Sequence, residues 1–267
     1  MEARIFKLTL AYDGSAYAGW QVQPGKATIQ GTVEQALADT VGSSVRIAGS
    51  GRTDAGVHAL GQVASFSCET QLSAETLARA LGSRLPHDIV IQSLEEAGAD
   101  FHARRDAVAK RYRYALVAGE RASPFERNYA WHVRSALDVA AMHEAAQALR
   151  GRHDFASYQT SGSPRETTAR MIYDISARRL AGARIAGVGE GRIDVEIEAD
   201  GFLYNMVRNI VGALVEVGRG VRDVRWPAEV LAARNRSAAG LAAPAQGLFL
   251  VSVRYADGKA TAAEESH

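Results

Sequence analysis

The chain has 267 residues, 47% hydrophobic and 23% charged, which suffices for one large domain or two moderate ones that bury a core without covalent staples. Its one cysteine, Cys68, excludes an intramolecular disulfide and a cysteine-rich metal site; in a run with Val63, Ser65 and Phe66 it reads as a buried, inert thiol. Basic residues number 31 against 30 acidic ones, and lysine occurs only at Lys7, Lys26, Lys110 and Lys259, so the net charge of +1 advertises no polyanion partner and only clustering of arginines can do so.

The opening Met1–Leu8 interrupts its apolar residues with charges and lacks the apolar centre of a secretory signal, so a cytoplasmic location is expected. Residues 4 to 12 alternate with Phe6, Leu8, Leu10 and Tyr12 on one face, the pattern of a half-buried strand. A polar loop follows, then a helix capped by Thr28, with Ile29, Val33, Leu37 and Val41 on one stripe. Strands are expected near 45–50 and 61–68, a helix opened by Ser73 that carries Leu77 and Leu81, and a strand near 88–94. The order then repeats: a strand at 107–117, a helix at 137–150, strands at 168–178 and 192–199, a helix at 203–217, a short helix begun by Pro227, and a strand at 247–255. The most apolar stretch, Ile210–Val217, contains Glu216 and is far shorter than the roughly 20 residues that cross a bilayer, so no membrane association is expected. Two successive β-α-β-β-α-β units imply an α/β (α+β) protein of two ferredoxin-like halves with a cleft between them, residues 1–105 and 106–256; the polar tail 257–267 is expected to be disordered.

Three constellations carry chemistry. Gly49-Ser50-Gly51-Arg52-Thr53-Asp54-Ala55-Gly56-Val57-His58 packs three glycines into eight residues between two strands, and an extended Arg52–Asp54 segment points both charges to one side. A carboxylate beside a guanidinium stays ionised, as a nucleophile must, although a generic Arg-Thr-Asp is also compatible with a capped turn and a solvated arginine. An Asp54–His58 metal site lacks further ligands, and no other histidine has ligand spacing. Phe101-His102-Ala103-Arg104-Arg105, followed by Lys110-Arg111-Tyr112-Arg113-Tyr114, interleaves cations with aromatics, which suits phosphates and splayed bases; an edge strand over a core is the plainer alternative for Tyr114. Asp200–Gly212 places Arg208 beside the stripe Leu203, Val207, Ile210, Val211 and Leu214, where a cation needs an anion; Asp54 is the candidate, and a structural salt bridge to another acid is the alternative.

Taken together, Gly51 to Ala59, Lys110 to Tyr114, Phe202 to Gly212 and Gly247-Leu248-Phe249-Leu250 resemble the tRNA pseudouridine synthase A (TruA) family. So do Tyr12-Asp13-Gly14, Gly19-Trp20-Gln21, Asp154-Phe155 and Arg165 to Arg170. The resemblance implies a pseudouridine synthase fold with a central, mainly antiparallel sheet and a homodimer gripping tRNA. It implies isomerisation of uridine to pseudouridine at positions 38, 39 and 40 of the anticodon stem-loop, with no cofactor and no metal. It makes Asp54 the catalytic aspartate, Tyr112 the ring that stacks on the target uracil, Arg208 the partner of Asp54 and Leu248 the apolar residue beneath the base. Arg52 is implied to act in displacing the base. Phe101, His102, Ala103, Arg104 and Arg105, with Lys110 and Arg111, and Ser161, Gly162, Ser163, Pro164 and Arg165, match tRNA-contacting segments. Tyr158 and Ala242 depart from the family's frequent phenylalanine and threonine. A non-catalytic tRNA-binding protein and a carboxylate-dependent hydrolase using Asp54 with Arg52 are the readings from other classes.

Overall fold

The computed structural model describes residues 3–121, 123–160, 167–180 and 191–256. The tail 257–267 and the expected RNA-contacting residues Ser161, Gly162, Ser163, Pro164 and Arg165 lie outside the described residues. In chain order the elements are β1 (Arg4–Tyr12), α1 (Ile29–Val41), β2 (Ala48–Gly49), β3 (His58–Cys68), α2 (Ala74–Gly82), β4 (Ile89–Glu96), β5 (Ala107–Ala118), β6 (Trp131–Val133), α3 (Val139–Gln147), β7 (Gly151–Asp154), β8 (Ala169–Leu180), β9 (Arg192–Ala199), α4 (Met206–Gly218), α5 (Trp226–Ala233) and β10 (Leu248–Tyr255). Among the described residues no helix is long and apolar enough to cross a membrane.

The chain divides into two compact units: residues up to Val108 together with those from Phe249, and Ala109–Leu248. This division differs from consecutive halves 1–105 and 106–256 in the placement of β10, whose Phe249 and Leu250 pair in parallel with His58 and Ala59 of β3.

In the first unit β1 lies between β4 and β3, antiparallel to both, and β10 and β2 pair with different parts of the long β3. Opposed residues on β1 and β3 build the core: Phe6 faces Phe66, and their rings stack at 5.3 Å. The strand is buried on both faces rather than half-buried, because Lys7 lies under Tyr255, with Nζ 5.5 Å from that ring, and its ammonium donates to Glu95 at 2.7 Å. Both helices of this unit begin where the local chemistry requires. The Thr28 side chain accepts from Gly31 N and that of Ser73 from Thr76 N, each satisfying a helix N–H that has no partner within the helix. Cys68 is buried, and loss of solvent raises its thiol above the ordinary value while the nearby Arg4 opposes this.

In the second unit β5, β9, β8 and β7 follow one another in antiparallel order and β6 pairs in parallel with β5. Helix α4 begins at Met206, three residues later than the apolar pattern suggests, because Asn205 takes a left-handed conformation (φ 59°) that ends the preceding segment. Its buried residues run nearly unbroken from Met206 to Gly218. Gly212 lets the 241–243 segment approach, since a Cβ there would lie 2.0 Å from the Leu241 carbonyl oxygen. Tyr158 is buried, and its hydroxyl donates to the Pro227 carbonyl at 2.9 Å, so the extra oxygen at this position has a partner.

Candidate active site

The loop between β2 and β3 carries Asp54 and is held on several sides by buried groups. The Trp20 indole lies against Gly49, where a Cβ would stand 2.6 Å from the ring. Ser50 N donates to Val63 O at 2.7 Å, and Gln62, fully buried, accepts from Ser50 Oγ at 2.7 Å while donating to Gly51 O at 3.0 Å. Thr53 is 5% exposed; its Oγ1 lies 2.8 Å from the Tyr12 hydroxyl and its carbonyl accepts from Trp20 N at 2.9 Å. Burial drives the Tyr12 hydroxyl well above its ordinary pKa, the Thr53 and Gln62 hydrogen bonds pulling the other way, so the ring stays neutral near neutral pH. A buried hydroxyl deprived of its partner costs about 1–3 kcal/mol, which makes this pair a restraint on the loop rather than a surface contact.

With Thr53 pinned inward, its neighbours turn outward: Arg52 is exposed and Asp54 half-buried. The Asp54 carbonyl accepts from Val57 N at 3.1 Å across a turn in which Gly56 takes φ 78°. Gly19 (φ 95°) meets the Thr53 carbonyl and Gly14 the Val57 carbonyl, at separations that no side chain would permit. His58 is buried and stacks on Phe249 at 4.7 Å. Its Nδ1 lies 3.1 Å from both Gly14 N and Asp13 Oδ1. The Gly14 N–H donates to Nδ1, and the Asp13 carboxylate lies beside the same ring nitrogen. A carboxylate on so constrained a backbone is preorganised for attack or proton removal. Arg52 makes no ion pair among the described residues.

The second unit carries the other expected residues. Tyr112 on β5 is 7% exposed and meets Phe202 edge-on, at 4.9 Å between ring centres. Tyr114, on the same face, donates to Pro244 O at 2.7 Å. Arg208 Nε donates to the adjacent Ala243 O at 2.7 Å, its Nη1 donates to Asn205 Oδ1 at 2.8 Å, and Ala243 N returns a bond to Arg208 O at 2.9 Å. The aromatic face of β5 and the guanidinium thus meet at Ala243–Pro244. Burial raises the Tyr114 hydroxyl above its ordinary pKa, while the charge of Arg208 acts in the opposite sense. Leu248, the first residue of β10, is 6% exposed.

The expected RNA contacts divide. Arg104 is exposed, and its guanidinium makes no ion pair among the described residues. Arg105 is tied to Asp106 at 2.9 Å and to the Asp100 carbonyl. His102 Nδ1 accepts from Arg104 N at 3.1 Å, which shapes the turn that presents both arginines. Phe101 leans on Tyr255 at 5.2 Å. Ala103 is fully buried, with its N–H on Ser65 Oγ and its carbonyl on the Tyr255 hydroxyl, so it anchors the turn and offers RNA no side chain. Lys110 is half-buried on β5. Arg111 lies on the opposite face from Tyr112, 2.7 Å from Glu198 and 3.6 Å from Glu196, so cross-strand carboxylates already neutralise its charge. Sequence reasoning passed over Gln62 and named Tyr12, Thr53 and Asn205 only within their motifs, with no role for each, because those roles rest on partners far away along the chain or on an unusual backbone conformation.

A profile of the family described as tRNA pseudouridine synthase matches residues 9–106 and 145–256, which include Asp54, Arg208 and Leu248. The chain belongs to this family. Relatives named tRNA pseudouridine synthase A support the same placement across nearly the whole length. That of Limosilactobacillus fermentum is 44% identical over 253 residues, covering 94% of this chain and 95% of its own. That of Geobacter sulfurreducens is 45% identical over 252 residues, 94% of this chain and all of its own. The Geobacillus kaustophilus relative is 44% identical over 259 residues, 96% of each. As a tRNA pseudouridine synthase the chain is an isomerase, and its mixed α/β elements with mainly antiparallel pairing accord with the pseudouridine synthase fold.

Proposed function

We propose that this chain isomerises uridine to pseudouridine at positions 38, 39 and 40 in the anticodon stem-loop of tRNAs, with Asp54 as its central catalytic group. The observation that carries the reading is the half-buried Asp54 carboxylate on a loop clamped by Tyr12, Trp20 and Gln62, in a chain whose family makes pseudouridine. The reaction breaks the C1′–N1 bond, turns the uracil and joins C5 to C1′, and the proton lost from C5 is balanced by one gained at N1. Mass and redox state are unchanged, so the chemistry calls for a positioned carboxylate and no electron acceptor.

Within this proposal Tyr112 stacks on the uracil, Leu248 lies beneath it, and Arg208 supplies the cation that serves Asp54. Extruding the base costs roughly a few kcal/mol, and the exposed Arg52 is suited to hold the vacated place in the stem. Phe101, His102, Arg104, Arg105 and Lys110 form the phosphate- and base-contacting edge, with Ala103 as its buried anchor. A homodimer acting on tRNA in the cytoplasm completes the proposal. Substituting Asp54→Asn tests it: tritium release from C5-labelled uridine in tRNA and carbodiimide mapping of pseudouridine should both vanish while tRNA binding persists. Turnover near that of the unsubstituted protein would defeat the assignment, and binding without tritium release in the unsubstituted protein would make the chain a tRNA-binding protein only.

A further inference from the structure

We propose that Asn205 is a positioning residue for Arg208, a part that deepens the proposed function and rests on the role given there to Arg208. Asn205 precedes α4 and stands where asparagine ordinarily turns its side-chain oxygen back onto the first free N–H groups of the helix. Here it makes no such cap. Its Oδ1 instead accepts from Arg208 Nη1 at 2.8 Å, and its Nδ2 donates to Thr160 Oγ1 at 3.2 Å. The orientation of the amide follows from its neighbours, because a guanidinium can only donate and so must face the oxygen. The backbone at φ 59°, ψ 11° aims the side chain this way, a conformation that asparagine, aspartate and glycine reach far more readily than other residues.

Thr160 is in turn fixed to the same helix end. Its N donates to Tyr204 O at 3.0 Å, and its Oγ1 lies 3.4 Å from Nδ2 of Asn209, a fully buried residue whose Nδ2 also donates to Tyr158 O at 2.7 Å. The guanidinium is therefore gripped at two of its nitrogens, Nε by Ala243 O and Nη1 by Asn205. Contacts at Nε and Nη1 lie in one plane and help to fix which edge the guanidinium presents, and the one at Nη1 is supplied by Asn205. Asn205 sets the plane of the Arg208 guanidinium and so the direction in which its charge is delivered.

The test uses full-length protein and single-turnover tritium release from C5-labelled tRNA. Asn205→Gly keeps the left-handed backbone and removes only the amide. It should leave the melting temperature and the tRNA concentration at half-saturation close to those of the unsubstituted protein while slowing the chemical step by about 10- to 100-fold, the loss that follows misplacement on the order of 1 Å. Asn205→Asp keeps an acceptor for Nη1 and should restore most of the rate. In an Arg208→Ala background Asn205→Gly should cause no further loss. An unchanged rate for Asn205→Gly, or an equal loss with and without Arg208, overturns the proposal. A full rate for Arg208→Ala alone would instead remove Arg208 from the reaction, a separate result that the single variants distinguish.

Discussion

Replacing Gly14 by alanine tests how rigidly the Asp54 loop is held. A Cβ at this position would lie 2.0 Å from the Val57 carbonyl oxygen and 2.7 Å from its carbon, where real contacts are not closer than 3.0 Å. The neighbour is backbone, so it cannot swing aside, and the Val57 peptide must retreat by about 1 Å, with strain of about 1–3 kcal/mol typical of an overpacked core. Gly14 is not at a positive φ, so steric displacement is the whole effect. Val57 N donates to the Asp54 carbonyl, and the shift therefore passes to Asp54, the proposed catalytic group, within the same turn. A displacement of this size costs about 100-fold in rate, or about 2.7 kcal/mol of barrier. Single-turnover pseudouridine formation and thermal melting of Gly14→Ala measure the two costs. Gly98→Ala, where a Cβ would meet nothing within 4 Å, serves as the control and should match the unsubstituted protein in both. A Gly14→Ala protein with unchanged rate and melting temperature would show that the loop yields freely and that its clamps do not govern Asp54.

Two further outcomes follow from the geometry. Arg104→Ala should weaken tRNA binding and lower the slope of log affinity against log salt by about 1, whereas Arg111→Ala, whose charge Glu198 and Glu196 already offset, should leave the slope unchanged; equal slopes for the two variants would refute the division between them. Ile210→Ala removes a fully buried side chain from the helix that carries Arg208 and should cost about 2–5 kcal/mol in chemical denaturation, with a smaller loss showing that the helix repacks.

Local chemistry was enough to read much of the chain. The starts of α1 and α2 were legible because Thr28 and Ser73 cap through bonds three residues long, and β9 because Ile193, Val195 and Ile197 alternate with charges over its whole length. The glycine-spaced Arg-Thr-Asp string marked the loop now seen clamped between β2 and β3, where Gly49 admits the Trp20 ring and Gly56 takes a positive φ.

Tertiary structure decided what depends on distant partners. The short β6 and β7 exist through pairing with β5 and β8, and three or four residues carry no period of their own. The later start of α4 turned on the backbone angle of one asparagine. Arg104 and Arg111 are the same residue in the same basic stretch, yet only the latter faces Glu198, a neighbour 87 residues away that β-sheet register supplies. The grouping of β10 with the first unit follows likewise from its parallel contact with β3, and Thr53 is fixed by a hydroxyl 41 residues earlier. Period and capping act over a few residues and are written along the chain, whereas pairing, burial and charge neutralisation act between surfaces that meet only when it folds.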